Sequence, residues 1–185
     1  DGLLEADLYG HVTHGLALMP DYVDELDNGT MTATGRPTVL SDFAAVALWD
    51  GNRLPGVWTT KLAVAEAIAR ARNFGVGAVA VRRSHHIACL AAYLEQPARD
   101  GKLVFIYSSD PSDRHVAPFG GTTPVMTPNP VAAGIPASPD PILIDVSTSI
   151  TTAAMCGKAR TEGRPLPGKW LKDRTGNATD DAFVM

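Results

Sequence analysis

The sequence predicts a mixed α/β fold, on three observations. Residues 59–74 place Leu62, Ala65, Ile68, Ala69 and Arg72 three and four apart and end at Gly75, as an amphipathic helix does. Val76–Val81, Leu103–Ser108 and Ile142–Val146 are short apolar runs of strand length. These strand and helix patterns are interleaved along the chain.

Taken in order, residues 1–9 read as the end of a helix closed by Gly10. A second short helix spans 12–27 on Leu16, Met19, Tyr22, Val23 and Leu26, with Pro20 near its start or at a kink and Asn28-Gly29 as its stop. From Pro37 to Trp49 the period suits extended structure, and Asp50-Gly51-Asn52 predicts a hairpin turn. Thr59 or Thr60 is placed to cap the long helix. Val76–Val81 reads as a buried strand, and Ile87–Leu94 as a short helix broken by Pro97. A last helix is expected across 151–160, and loop from Gly163. Residues 109–141 read as long irregular connections, which in compact domains usually carry function. The chain enters directly into helical pattern at Leu3 and stops at Met185 without a capping element, so further segments are expected on both sides.

Composition narrows the function classes. Of 185 residues, 45% are apolar and 19% charged, which is ordinary for a globular domain with a substantial core. A net charge of −4 with scattered basic residues gives no footprint for nucleic acid. No apolar run approaches the roughly 20 residues of a membrane helix, and no signal peptide is visible. Cys89 and Cys156 lack metal or redox spacing and fit buried free thiols in a reducing, cytoplasmic setting.

A dinucleotide site would first be sought through G-x-G-x-x-G/A. Gly75-Val76-Gly77-Ala78-Val79-Ala80 fits the string, but it follows a helix and opens a strand, the reverse of the Rossmann context. A Rossmann domain is therefore excluded. Histidine is the natural acid/base near neutral pH. His14, followed by Gly15, leaves backbone room for a ligand, although a histidine closing a helix end would look the same. His86 lies just past a strand, where functional groups are exposed, and a hydrogen-bonded loop histidine is the alternative. His11 and His14 could share a metal face only if helical, and they lack a third ligand, so no metal is expected. Asp110 precedes Pro111 and suits a turn. Asp145 followed by Ser147-Thr148-Ser149 combines an acid at a strand end with hydroxyls able to cap a helix.

The order of these motifs is more specific than any one of them. Asp7-Leu8-Tyr9-Gly10-His11-Val12-Thr13-His14-Gly15 with Tyr22, then Ser84-His85-His86, Pro118-Phe119-Gly120-Gly121, Thr127-Pro128-Asn129-Pro130, Ile144-Asp145-Val146-Ser147-Thr148-Ser149 and Leu166-Pro167-Gly168-Lys169-Trp170 together resemble the malate/L-lactate dehydrogenase family. The resemblance implies an α+β, non-Rossmann NAD(P)-binding fold with a large mixed, mostly antiparallel sheet flanked by helices. It implies a partial N-terminal helical segment at 1–36 and the NAD(P)-binding mixed-sheet domain at 37–185, truncated at its C-terminal end. It also implies a homodimer and hydride transfer between nicotinamide and C2 of a small 2-hydroxy or 2-oxo acid.

By the same resemblance, His14 and His86 are catalytic, and Thr13 and Tyr22 meet the substrate. Ser109, Asp110, Asn129, Ile144, Asp145, Val146, Ser147, Thr148 and Ser149 meet the NAD or NADP cofactor. Three positions depart from the family pattern. Leu18 stands where many members carry a carboxylate-clamping arginine, Ala88 stands for a glycine, and Thr127-Pro128 stands for Gly-Thr. Leu18 bears on substrate identity, so a cyclic imino acid reductase and a non-catalytic nucleotide- or metabolite-binding relative are the alternatives.

Overall fold

The structure, a computed structural model, describes residues 1–184. The chain divides into two compact units, Asp1–Phe105 with Ala133–Ile144, and Ile106–Ala132 with Asp145–Met185.

The first unit begins with helix α1 (Gly2–Leu8), which Gly10 follows in the left-handed region. The segment from 11 to 15 is a turn, so His11 and His14 do not share a helix face. The second helix starts later than its apolar pattern suggests. A 3-10 turn (Leu16–Leu18) leads into α2 (Met19–Asp27), whose first turn holds Pro20, where a missing N–H costs nothing. Asn28 and Gly29 end it. Leu3, Tyr22, Met31 and Ala88 form a buried cluster, with Leu18, Leu26 and Val57 packed against it.

Strands β1 (Thr38–Phe43) and β2 (Val46–Asp50) pair antiparallel, and β2 pairs in parallel with β3 (Ala78–Arg82). The hairpin turn falls at Ala44-Ala45, not at Asp50-Gly51-Asn52. Two interactions explain the difference. Arg70, buried on helix α3 (Gly56–Phe74), donates to both Asp42 oxygens at 2.8 and 3.0 Å and to Ala44 O at 2.8 Å, fastening the β1–β2 turn to that helix. Asp50 is itself buried, where it receives Asn52 N, Arg82 and Arg83 and so closes β2. Neither Thr59 nor Thr60 caps α3. Pro55 holds the N-cap position, and the Thr59 hydroxyl donates back to its carbonyl.

Strand β3 alternates between exposed and half-buried residues, contrary to the buried strand expected from its apolar sequence. Past it, a 3-10 turn (Leu90–Tyr93) precedes α4 (Glu95–Arg99). Pro97 lies inside the first turn of α4, a position that needs no intrahelical N–H, so it does not break the element. The connection expected to be irregular from 109 to 141 contains a strand. A second sheet, ordered β4-β5-β6, is built from β4 (Val104–Tyr107), β5 (Val131–Ile135) and β6 (Ile142–Val146). The small residues of β5 hide its periodicity. They are what close packing requires, since a Cβ at Gly134 would lie 3.0 Å from both the Leu94 side chain and its carbonyl.

In the second unit, helix α5 (Ala153–Thr161) buries Cys156 and Ala159 against Leu166 and Ala182. The tail, expected as loop, holds a short hairpin of β7 (Leu171–Lys172) and β8 (Ala178–Thr179). Asp173 organises its turn by accepting from Thr175 N and Asn177 N, each at 2.9 Å. No helix among the described residues is long and apolar enough to cross a membrane.

Candidate functional site

Four of the expected site residues come together in the first unit. The His14 and His86 rings lie 5.5 Å apart, tilted by 33°. Tyr22 reaches His86 from α2. Its hydroxyl is 3.1 Å from His86 O, to which it donates, and 3.0 Å from His86 Nδ1. The Ala88 N–H also points to Nδ1, at 3.4 Å. Thr13 Oγ1 lies 3.0 Å from His14 Nδ1. His86 is exposed and His14 half-buried. Burial, aided by the nearby Glu25 carboxylate, pushes the Tyr22 hydroxyl well above the usual tyrosine range. Tyr22 is therefore a neutral hydrogen-bond donor at any ordinary pH.

Local structure holds these side chains in two places. Beneath His14, Asp7 Oδ2 accepts Leu16 N at 3.0 Å, and a Cβ on Gly15 would collide with that carboxyl at 2.0 Å. Gly15 thus lets the His14 turn close over Asp7. Beneath His86, Gly56 opens α3, and a Cβ there would lie 2.2 Å from His85 O and 2.3 Å from His86 O. Ala88 carries φ +58° inside the buried Tyr22 cluster, in the left-handed region that favours the glycine this position resembles. Leu18 packs against the same cluster, so the residue at the arginine position serves the core. Glu25 and Gly56 escaped sequence reading, and Asp7 was read as part of the first motif without a role. The three-residue spacing of Tyr22 and Glu25 was the available signal for Glu25, because it puts both on one helix face.

The expected cofactor residues cluster mainly in the second unit. Ser109 and Asp110 follow β4, both exposed, and Asp110 Oδ1 accepts the Ser112 N–H at 2.9 Å in a turn. Buried Thr127 joins Asp110 to Asn129. Its hydroxyl accepts Asp110 N at 3.3 Å and lies 3.1 Å from Asn129 Oδ1. Asn129 itself has φ +43°. Pro128, whose ring lacks an N–H, supplies the carbonyl that takes both Thr148 N (2.8 Å) and Thr148 Oγ1 (2.6 Å). Three separate stretches, 108–110, 127–130 and 147–149, are thereby tied together.

Along β6, exposed Ile144 and Val146 flank half-buried Asp145. Ser147 and Ser149 donate to carbonyls two residues on, so they do not cap the following helix. That task belongs to Thr152, whose hydroxyl accepts Met155 N at 3.2 Å. The Thr127 hydroxyl, the Asn129 amide and the Asp110 carboxylate are donors and acceptors of the kind that ribose hydroxyls and a carboxamide require. The apolar Ile144 and Val146 suit the face of a flat ring.

Comparison with known proteins identifies the family. Residues 1–185 match the family described as Malate/L-lactate dehydrogenase. L-Sulfolactate dehydrogenase of Methanothermobacter thermautotrophicus is 35% identical over 182 residues, 98% of this chain and 52% of that protein. L-Lactate dehydrogenase of Cupriavidus necator is 32% identical over 189 residues, 99% of this chain and 53% of its own length. The crystal structure of malate dehydrogenase from Entamoeba histolytica superposes with a TM-score of 0.92 at 28% identity, over 99% of this chain and 51% of that one. The chain spans about half the length of the relatives it matches. It belongs to the malate/L-lactate dehydrogenase family.

Proposed function

We propose that this chain is part of a nicotinamide-dependent oxidoreductase acting at C2 of a small 2-hydroxy or 2-oxo acid. The observation that carries the reading is the His14–His86 pair, with Tyr22 held on His86. The names of its relatives, sulfolactate, lactate and malate dehydrogenases, all denote 2-hydroxy acid chemistry. When bound, the nicotinamide supplies the hydride donor or acceptor. Residues 109–110, 129 and 144–149 would hold it.

The chain's own groups manage the proton. Interconverting an oxo and a hydroxy group requires a proton to reach or leave the C2 oxygen, and imidazole does this near neutral pH. Thr13 meets Nδ1 of His14 and Tyr22 meets Nδ1 of His86, and these contacts orient the two rings for the exchange. Tyr22 orients His86 and lies beside the substrate, with Thr13 on the His14 side. Residues 1–36 are read as part of a helical segment, 37–185 as the nucleotide-binding domain, and the working protein as a cytoplasmic homodimer using NAD or NADP. One relative named for NADP(+) supports the dinucleotide assignment.

The test follows the absorbance of NADPH, then NADH, while pyruvate, oxaloacetate, sulfopyruvate and a cyclic imino acid are added in turn. Loss of absorbance with a 2-oxo acid supports the reading. Loss with the cyclic imino acid alone transfers it to the imine reductase alternative. Cofactor binding without turnover of any compound contradicts it.

A further inference from the structure

The Ser84-His85-His86 motif contains a histidine that the proposed chemistry does not use. His85 makes contacts of its own, separate from Tyr22's hydrogen bond to His86. Its Nε2 lies 2.8 Å from Thr30 O, and its Nδ1 lies 3.0 Å from Glu25 Oε2. Glu25 Oε2 is shut off from solvent and takes no aligned hydrogen bond, and the His85 ring is the polar group beside it. Glu25 also holds the end of α2 in place, because its carbonyl accepts Met31 N at 2.9 Å and the Thr30 hydroxyl at 3.3 Å.

Glu25 and Tyr22 sit three residues apart on α2, one helical turn. The helix therefore grips the histidine loop at two adjacent points, Tyr22 on His86 and Glu25 on His85. A third constraint comes from below, where Gly56 lets α3 press against the carbonyls of both histidines. A side chain held at one point can swing about it. Held at two points a turn apart, the loop keeps a single orientation relative to α2.

We propose that His85, through Glu25 and Thr30 O, is the positioning residue that holds His86 in register with Tyr22 and His14. The proposal rests on the oxidoreductase reading for its kinetic consequence, but not for its structural one. His85→Ala frees the loop from α2. The expected result is a fall in kcat of about 10-fold or more, with KM altered much less, because an ångström of misplacement is costly in rate. His85→Gln keeps an N–H for Thr30 O and is expected to recover most of kcat. Glu25→Gln removes the charge while keeping the shape, and is expected to fall between the two.

The second readout is NMR of protein labelled with 15N-histidine. The His86 ring signals are expected to move in His85→Ala and in Glu25→Gln, and to return towards wild type in His85→Gln. If His85→Ala does not fold, Glu25→Gln carries the test. Folded variants with unchanged His86 signals and unchanged kcat overturn the proposal. So does a loss of thermal stability in His85→Ala while His86 signals and kcat stay as in wild type, since His85 would then only stabilise the fold. If wild type turns over no 2-oxo acid, the oxidoreductase reading fails and the His86 signals still decide the role of His85.

Discussion

Gly56→Ala puts a methyl group into the floor beneath the two histidines. At most sites in a helix this substitution is favourable, by up to ~1 kcal/mol of helix propensity and chain entropy. Here the new Cβ would lie 2.2 Å from His85 O, 2.3 Å from His86 O and 2.6 Å from His86 C. All three are backbone atoms and cannot rotate away. A tolerable carbon–oxygen contact is about 3.3 Å, so the loop must retreat by about 1 Å. Overpacking of this kind costs ~1–3 kcal/mol, which outweighs the helical gain. The expected outcome is net destabilisation of ~1–2 kcal/mol, a fall in Tm of roughly 2–8 °C for a chain of this size, and a loss of kcat of up to ~10²-fold as His86 moves from Tyr22. Urea unfolding measures the first and steady-state kinetics the last. Gly157→Ala is the control, since its Cβ meets nothing within 4 Å on α5, and it should stabilise by ~0.5–1 kcal/mol. A Gly56→Ala protein as stable as wild type, with undiminished kcat, would refute the reasoning that this glycine sets the position of the histidine loop.

Three further outcomes are expected. Burial pushes the Tyr22 and Tyr93 hydroxyls well above the usual range, so the folded state favours their neutral forms. Stability from this source is full below the unfolded value of about 10 and is lost as pH rises towards the folded values, so Tm should drop through the alkaline range and drop less in Tyr22→Phe and Tyr93→Phe. Ala88→Gly relieves a left-handed backbone worth ~1–2 kcal/mol but removes a buried methyl worth ~0.8 kcal/mol and adds chain entropy, so its urea midpoint should stay close to wild type, while the bulkier Ala88→Val should lower it clearly. Thr152→Ala removes the cap of α5 and should cost ~1 kcal/mol by urea titration, whereas Ser147→Ala, away from the cap, should leave the helix unaffected.

Much of this was legible in the sequence. Helix α3 announced itself because its apolar spacing, length and terminal Gly75 all agree. The motif order carried the family, and it named Thr13, His14 and Tyr22 together with His86, which lies 64 or more residues further along the chain. The misreadings share a cause, which is that a tertiary partner outweighed a local signal. Asp50-Gly51-Asn52 has turn chemistry, but exposed Arg82 and Arg83 hold the buried Asp50 at the end of β2 and Arg70 fixes the real turn at Ala44-Ala45. Strand β5 was hidden because Val131–Ile135 is built of small residues chosen for close approach, which carry little periodicity. The hydroxyls of 147–149 looked like a helix cap, and only their bonds to nearby carbonyls show that Thr152 holds that place. Gly56 and Glu25 act through the histidine loop, a relation that no short window of sequence contains.

The central claim is that His14 and His86 exchange the proton at C2. The most direct measurement compares kcat and nicotinamide affinity, the latter by quenching of protein fluorescence, in wild type, His14→Ala and His86→Ala. The account predicts a loss of kcat of ~10²–10⁴-fold in at least one variant, the range for a removed acid/base group, with cofactor affinity essentially unchanged in both. Full turnover in both variants would contradict it.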